Sequence, residues 1–350
     1  MNKALNGTQQ TILDLFRIVA AMFVLFGHSF SFYEITVLKD QACFPYIQNI
    51  GVVVFFLLAG FLTAFSLSEK NRNHTYSFSS FFKHKTVRIA KEYLPGLLLI
   101  LVIDYISIAV NKERYLFYDT YSPGHFFGNV FMLQEMGPYS VLGKWFMPFG
   151  SGRPLWTLSV EWWLYMLYGA LFLFLSNKEK ISLPKILVFC GIVFMVSDHL
   201  ISVRGNGLGV VFLLGVLSYC FYDFLSLKAA RILFPLSCLR YVYYGIMIKE
   251  AYTVCSFIII CVVFCSAVKI GGSMEPDTKR NEVFAFISKS TFMLYLVHYS
   301  IIDFIMNTEM NCSISVKFWL GIVLSLIMAC CCYYVFAKKN IIAKANLINK

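Results

Sequence analysis

Apolar runs of membrane-spanning length alternate with short polar breaks from one end of the chain to the other. A hydrocarbon core about 30 Å thick takes roughly 20 residues of helix. Ten stretches approach that length: 11–33, 50–68, 93–110, 155–176, 184–200, 207–222, 230–248, 251–268, 284–306 and 315–336. The one at 230–248 is the weakest, because it holds Pro235 and Arg240. The pattern predicts an all-α, polytopic transmembrane helical bundle of about ten spans, a single integral-membrane domain over 1–350. The first stretch carries Asp14, Arg17 and His28 and lacks a small-residue cleavage site after it. It is therefore expected to remain as the first helix and not to be removed as a signal peptide.

Two breaks stand out. Residues 69–92 gather Lys70, Arg72, Lys83, Lys85, Arg88 and Lys91, the pattern of a basic cytoplasmic loop. Ser77, Ser79, Ser80, Phe81 and Phe82 are expected to begin an interfacial helix leading into the third span. With ten spans, that orientation puts both termini in the cytoplasm. Residues 111–153 then form a long outer loop, punctuated by glycine and rich in aromatic rings.

Composition narrows the class further. The chain is 59% apolar and 14% charged, against about 25% charged in soluble proteins, which excludes a disulfide-stapled secreted scaffold and a large soluble catalytic domain. The net charge of +11 reads as topology and not as nucleic-acid binding, because Lys and Arg lie mainly in the breaks. Most of the eleven cysteines fall inside spans, as small apolar packing residues. Cys43 and Cys312 lie in outer loops, where an oxidising compartment would allow a disulfide. No metal-ligand spacing is present.

Ionisable residues within spans are costly and usually face a cavity or a partner. Arg17 and His28 are eleven residues apart, close to three full turns, so they share one helix face about 16 Å apart along the axis. Asp14 is one turn from Arg17 and is placed to pair with it. Counted from the cytoplasmic end, His28 lies about 24 Å along its span, and His298 and Glu161 about 21 Å along theirs. Three proton-handling groups thus converge on one layer. A neutral imidazole oriented by a carboxylate can deprotonate a hydroxyl near neutral pH.

At the cytoplasmic mouth Arg17, Lys85 and Arg88, with Lys83 and Lys91 nearby, suit a phosphate-bearing ligand. Positive-inside residues need no ligand, and Arg17 alone escapes that plainer explanation. His298 fits either an accessory acid/base role or a packing role with a hydrogen bond to Tyr295. In the outer segment Tyr115, Phe117, Tyr118, Tyr121, Phe126, Phe127, Tyr139, Trp145 and Phe146, near Arg153 and Trp156, offer stacking faces for an acceptor. An interfacial aromatic belt explains most of them as well. Asp104, His125, Asp198, His199 and Asp303 lie near span ends or outside and are expected to be solvated or interfacial.

Four segments resemble the acyltransferase-3 family of bacterial membrane O-acyltransferases. They are LDLFRIVAAMFVLFGH with GVVVFFLLAGFL after it, FFKHKTVRI at 81–89, LWTLSVEWWLY at 155–165 and STFMLYLVH at 290–298. Arg17 and His28 fit the family's Arg, ten residues, His signature. Lys85 takes the place of the first Arg in Phe-Phe-x-x-Arg-x-x-Arg-Ile, keeping the charge but losing the bidentate fork. The Tyr and Pro that often follow this motif are displaced to Tyr93 and Pro95.

The resemblance implies a ten-helix enzyme of the bacterial inner membrane. It would take an acyl group, usually acetyl, from acyl-CoA on the cytoplasmic side and deliver it to a hydroxyl of a surface polysaccharide or its lipid-linked precursor. It implies roles for Arg17 and His28 as the essential pair, Lys85 and Arg88 in donor binding, and Glu161 in supporting the active site. Acetyl-CoA would be a substrate, with no bound cofactor and no metal, and a homo-oligomer is allowed. Without an appended hydrolase-like domain, the chain is expected to handle donor and acceptor itself. The rival readings from other classes are a transporter or flippase and a polysaccharide polymerase.

Overall fold

The structure is a computed structural model that describes residues 5–33, 47–137, 141–142, 145–177, 182–201, 207–248, 250–274 and 282–338. Within these residues there are helices and turns and no strand. The helices are α1 (Gly7–Phe32), α2 (Ile47–Lys70), α3 (Phe78–Val110), α4 (Pro123–Val130), α5 (Leu155–Ser176), α6 (Leu183–Ile201), α7 (Leu208–Cys220), α8 (Leu227–Ile248), α9 (Val254–Ser273), α10 (Glu282–Asn307) and α11 (Ile314–Cys332). Each predicted apolar stretch falls on one of them, since a backbone in hydrocarbon must satisfy its own hydrogen bonds. Among the described residues, α1, α2, α3, α5, α6, α9, α10 and the helix that begins with α11 are long and apolar enough to cross a membrane. α7 is only 13 residues long, and α8 carries Lys228, Arg231 and Arg240 with Pro235 inside it.

The break at 69–92 differs from its expected form. α2 runs to Lys70 and α3 begins at Phe78, so the helix-free link is short and there is no separate interfacial helix. Lys83, Lys85, Arg88 and Lys91 all ride on α3, whose 33 residues span about 50 Å. That exceeds the hydrocarbon thickness, so its first turns can stand outside the apolar layer while staying helical. Hydrogen bonding closes the short link. Asn71 Nδ2 donates to Asn177 Oδ1 at 2.8 Å, Asn177 Nδ2 donates to the Tyr76 carbonyl at 2.9 Å, and Asn71 Oδ1 accepts from Tyr76 N at 3.2 Å.

The chain folds as two compact units, one of Met1–Gly27, Thr36–Phe78 and Val160–Ser288, the other of His28–Ile35, Ser79–Ser159 and Lys289–Lys350. In the first unit α2 and α7 cross with their backbones almost touching. A Cβ on Gly60 would stand 2.0 Å from the Phe212 carbonyl oxygen, and one on Gly215 2.1 Å from that of Leu57. Small residues at such crossings supply the packing that lipid cannot. Phe264 of α9 fills the space beside it, with ring centroids 5.2 Å from Phe61 and 5.3 Å from Phe16.

In the second unit α3 meets α10 at Gly96, where a Cβ would come 2.8 Å from Leu296. Tyr93, wholly buried, donates its hydroxyl to the Asn129 carbonyl at 2.9 Å, tying α3 to the segment that follows it. That segment contains the short helix α4, started by Ser122, whose Oγ accepts from His125 N, with Pro123 in the first turn.

Three polar residues expected at wet positions are buried instead: Asp104 is 1%, His199 1% and Asp303 2% exposed. Counting along a span gives depth and not the packing around it, and at Asp104 the outer segment folds back over the helix end. Cys312 is a free, exposed thiol. Its proposed partner Cys43 and the ring of Tyr139 lie outside the described residues.

Candidate active site

His28 near the end of α1 and His298 on α10 meet in the second unit, with ring centroids 5.3 Å apart and planes tilted by 34°. Segments 270 residues apart in sequence are thus brought together. His298 is fully buried. Its Nδ1 lies 3.0 Å from the Leu294 carbonyl oxygen and 2.9 Å from that of Tyr295, so the ring is anchored on its own helix. Tyr295 packs beside it and its hydroxyl is 2.5 Å from Thr157 Oγ1 at the start of α5.

Tyr299 joins the pair. Its ring sits edge-on to His28 at 5.2 Å, and Phe32 and Phe117 stand at 4.7 and 6.3 Å from it. Phe117 belongs to the outer segment, so that segment reaches the histidines through Tyr299. Arg153 is exposed and Trp156 half-buried. Tyr299 follows His298 directly in sequence, yet one residue of helix turns it by about 100°, so the motif alone does not show that both rings face His28.

Lys85 is 8% exposed, with its ammonium 5.9 Å from the Phe81 ring centroid, a loose cation–π contact. Lys83, Arg88 and Lys91 are exposed. Among the basic residues of this stretch, the lysine that departs from the Arg pattern is thus the buried one.

In the first unit Arg17 Nη1 donates to Asp14 Oδ1 at 2.9 Å, the pair that their spacing predicts. Asp14 also accepts from Ser288 Oγ at 2.7 Å. The aspartate side chain is 1% exposed and the arginine 28%. A buried carboxylate needs such partners. Glu161 accepts a very short hydrogen bond from Tyr165, one turn along α5, and the Tyr165 ring packs against Phe212.

A buried network that sequence reading does not find lies in the second unit, where Ser151 meets α3 and α10. Asp104 accepts from Ser151 N at 2.9 Å and from Ser151 Oγ at 2.5 Å, and that hydroxyl is 2.6 Å from Ser300 Oγ. Gly150 adopts φ +52°, and a Cβ there would fall 1.9 Å from Asp104 Oδ2. Burial, and then the Asp104 carboxylate beside it, push the Tyr115 phenol above its ordinary range, so it stays protonated. The signal in the sequence is the run Gly150, Ser151, Gly152, which allows a backbone loop to wrap a carboxylate. Nothing local names Asp104 as that carboxylate. Among the described residues no three His, Cys, Asp or Glu cluster as a metal site would require.

A family model described as an acyltransferase domain matches residues 10–338. No curated protein and no solved structure matches the chain.

Proposed function

The chain belongs to the acyltransferase-3 family and is a multi-pass membrane acyltransferase, and from that premise we propose that it is an O-acetyltransferase of the bacterial inner membrane. The donor is acetyl-CoA bound from the cytoplasmic side, and the acceptor is a hydroxyl of a surface polysaccharide or its lipid-linked precursor. The observation that carries this reading is the meeting of His28, half-buried, with the fully buried His298 in a chain matched almost end to end by an acyltransferase family. An uncharged imidazole can act on a hydroxyl as a base or can carry the acyl group to it.

In this reading the parts divide by chemistry. Arg17, Lys85 and Arg88 hold the donor phosphates, with Arg17 kept in place by Asp14. Glu161 supports the reacting histidine. Arg153 and Trp156 take the acceptor side, where a cation and an indole can grip a sugar by hydrogen bonding and stacking. His28 serves as general base or as acyl carrier, and Tyr295 and His298 are its accessory groups.

The test is mass spectrometry of surface glycans from cells with the wild-type chain, with His28→Ala at equal membrane level, and with the gene deleted. An acetyl-sized increment that needs both the gene and His28 is expected. Unchanged acetylation with shortened or missing glycans in the deletion strain would instead point to a flippase or polymerase and remove His28 from catalysis.

A further inference from the structure

The two histidines differ chemically. The Nδ1 of His298 faces two carbonyl oxygens, from Leu294 and Tyr295. Carbonyl oxygens only accept, so Nδ1 carries the hydrogen, and the neutral ring has its lone pair on Nε2. That Nε2 is buried and, among the described residues, has no hydrogen-bond partner. Proteins seldom leave a buried acceptor unmet, and such an atom calls for a role. Helix carbonyls fix the direction of this one, and the two rings stand 5.3 Å apart between centroids. Among the described residues His28 shows no such anchor: it touches His298 and Tyr299 through its ring, which leaves its nitrogens available for bond formation.

A neutral imidazole with Nδ1–H tied to an acceptor and Nε2 bare is prepared to receive a proton from a hydroxyl. Resting on the O-acetyltransferase reading, we propose that His298 is the base that takes the proton of the attacking hydroxyl, and that the adjacent His28 carries the acetyl group. In the first half-reaction the lone pair of one His28 nitrogen attacks the thioester carbonyl. The C–N bond forms, the C–S bond breaks, and the thiolate leaves as free thiol with the proton from the other His28 nitrogen. In the second half-reaction the acceptor oxygen attacks the acetyl carbonyl while its proton passes to His298 Nε2. The C–N bond breaks, and His298 returns the proton to the departing His28 nitrogen. Both rings end neutral, and the sum is one ester and one CoA thiol. A second imidazole takes the hydroxyl proton because the acetyl-bearing nitrogen has no basic lone pair left and the lone pair of the other His28 nitrogen points away from the acetyl carbon.

The experiment separates the halves with His298→Asn, which keeps an N–H donor near the Nδ1 position and loses the Nε2 lone pair. Membranes holding the full chain are given acetyl-CoA with labelled free CoA, and exchange of label is measured without any sugar. Hydroxylamine, whose amine is unprotonated at neutral pH and needs no base, is used separately to intercept the acetyl group as hydroxamate. Glycan acetylation is read in cells. In His298→Asn, exchange and hydroxamate formation should stay within about threefold of wild type, while glycan acetylation falls by about 10²- to 10⁴-fold, the usual worth of a general base. His28→Asn should lose all three.

If His298→Asn at normal membrane level loses exchange and acetylation in step, or if the wild type acetylates glycans without exchange, the division of labour is wrong. A wild type that acetylates no glycan overturns the O-acetyltransferase reading itself. Should His298→Asn fail to accumulate, His298→Gln, which likewise cannot act as a base, is put through the same measurements.

Discussion

Gly150 is the residue whose identity the structure constrains most tightly. Its φ of +52° is a conformation that side chains resist, and the space its Cβ would occupy is filled by Asp104 Oδ2. Gly150→Ala should therefore destabilise the second unit by at least about 1–3 kcal/mol. Ser151→Ala, which strips one hydrogen bond from a buried carboxylate, should cost about 1–3 kcal/mol as well. Thermal unfolding of the detergent-solubilised protein checks both, and a Gly150→Ala protein as stable as wild type would mean that Asp104 is not held in this cradle. The same residues mark where sequence reading stops. His28 and His298 could be matched because each is an isolated polar group in an apolar helix, and helix rise converts number into depth. Asp104 and Asp303 sit equally deep in their packing, but near span ends, where a carboxylate in water and a buried carboxylate read alike. At Asp104 the fold-back of Gly150 and Ser151 decides between them. Lys85 shows the reverse: its departure from the Arg pattern is visible in the sequence, its burial is not.

At the scale of elements, all ten apolar stretches were legible because a membrane leaves helix as the available answer. Their ends were less so. Hydropathy falls off where a helix leaves the hydrocarbon and not where it ends, which is why the basic residues after Phe81 read as a loop although they continue α3. Helix pairing was also hidden, since the α2–α7 crossing depends on Gly60 and Gly215 facing each other's backbone. Replacing either glycine drives a side chain into a carbonyl oxygen that cannot retreat. Gly60→Leu and Gly215→Val should each abolish accumulation of folded protein in the membrane. Gly191→Ala on α6 is the matched control, because a Cβ there meets nothing within 4 Å, and its level should equal wild type. Quantitative immunoblots of membranes with a folding-sensitive fluorescent fusion read all three. Normal accumulation of Gly60→Leu would mean that α2 and α7 do not cross as closely as the carbonyl distances require.

For the whole molecule the open quantity is the number of crossings, and it turns on α7 and α8 alone. These helices are consecutive, so removing both as spans leaves the orientation of every other helix unchanged. Only the link between them, residues 221–226, changes sides. The first unit indicates which side that is. Gln9 Nε2, in the first turn of α1, donates to the Tyr222 hydroxyl at 2.7 Å. Lys269, near the end of α9, donates to the Tyr222 carbonyl at 3.2 Å and lies 4.6 Å from its ring centroid. Asn6 reaches the Gly271 carbonyl at 3.3 Å. The link after α7 therefore shares an end with the start of α1 and the end of α9, both cytoplasmic under the positive-inside orientation. α7, with 13 residues, covers about 20 Å, so a crossing there needs flanking turns or a locally thin bilayer. The expectation is ten crossings. With the other exposed cysteines replaced, Cys312 in the link between α10 and α11 should react with a membrane-impermeant maleimide in intact spheroplasts. Asp223→Cys in the same background should react only after the membrane is opened. Labelling of Asp223→Cys in intact spheroplasts would reduce the count to eight and leave α7 and α8 as helices that enter the membrane without crossing it.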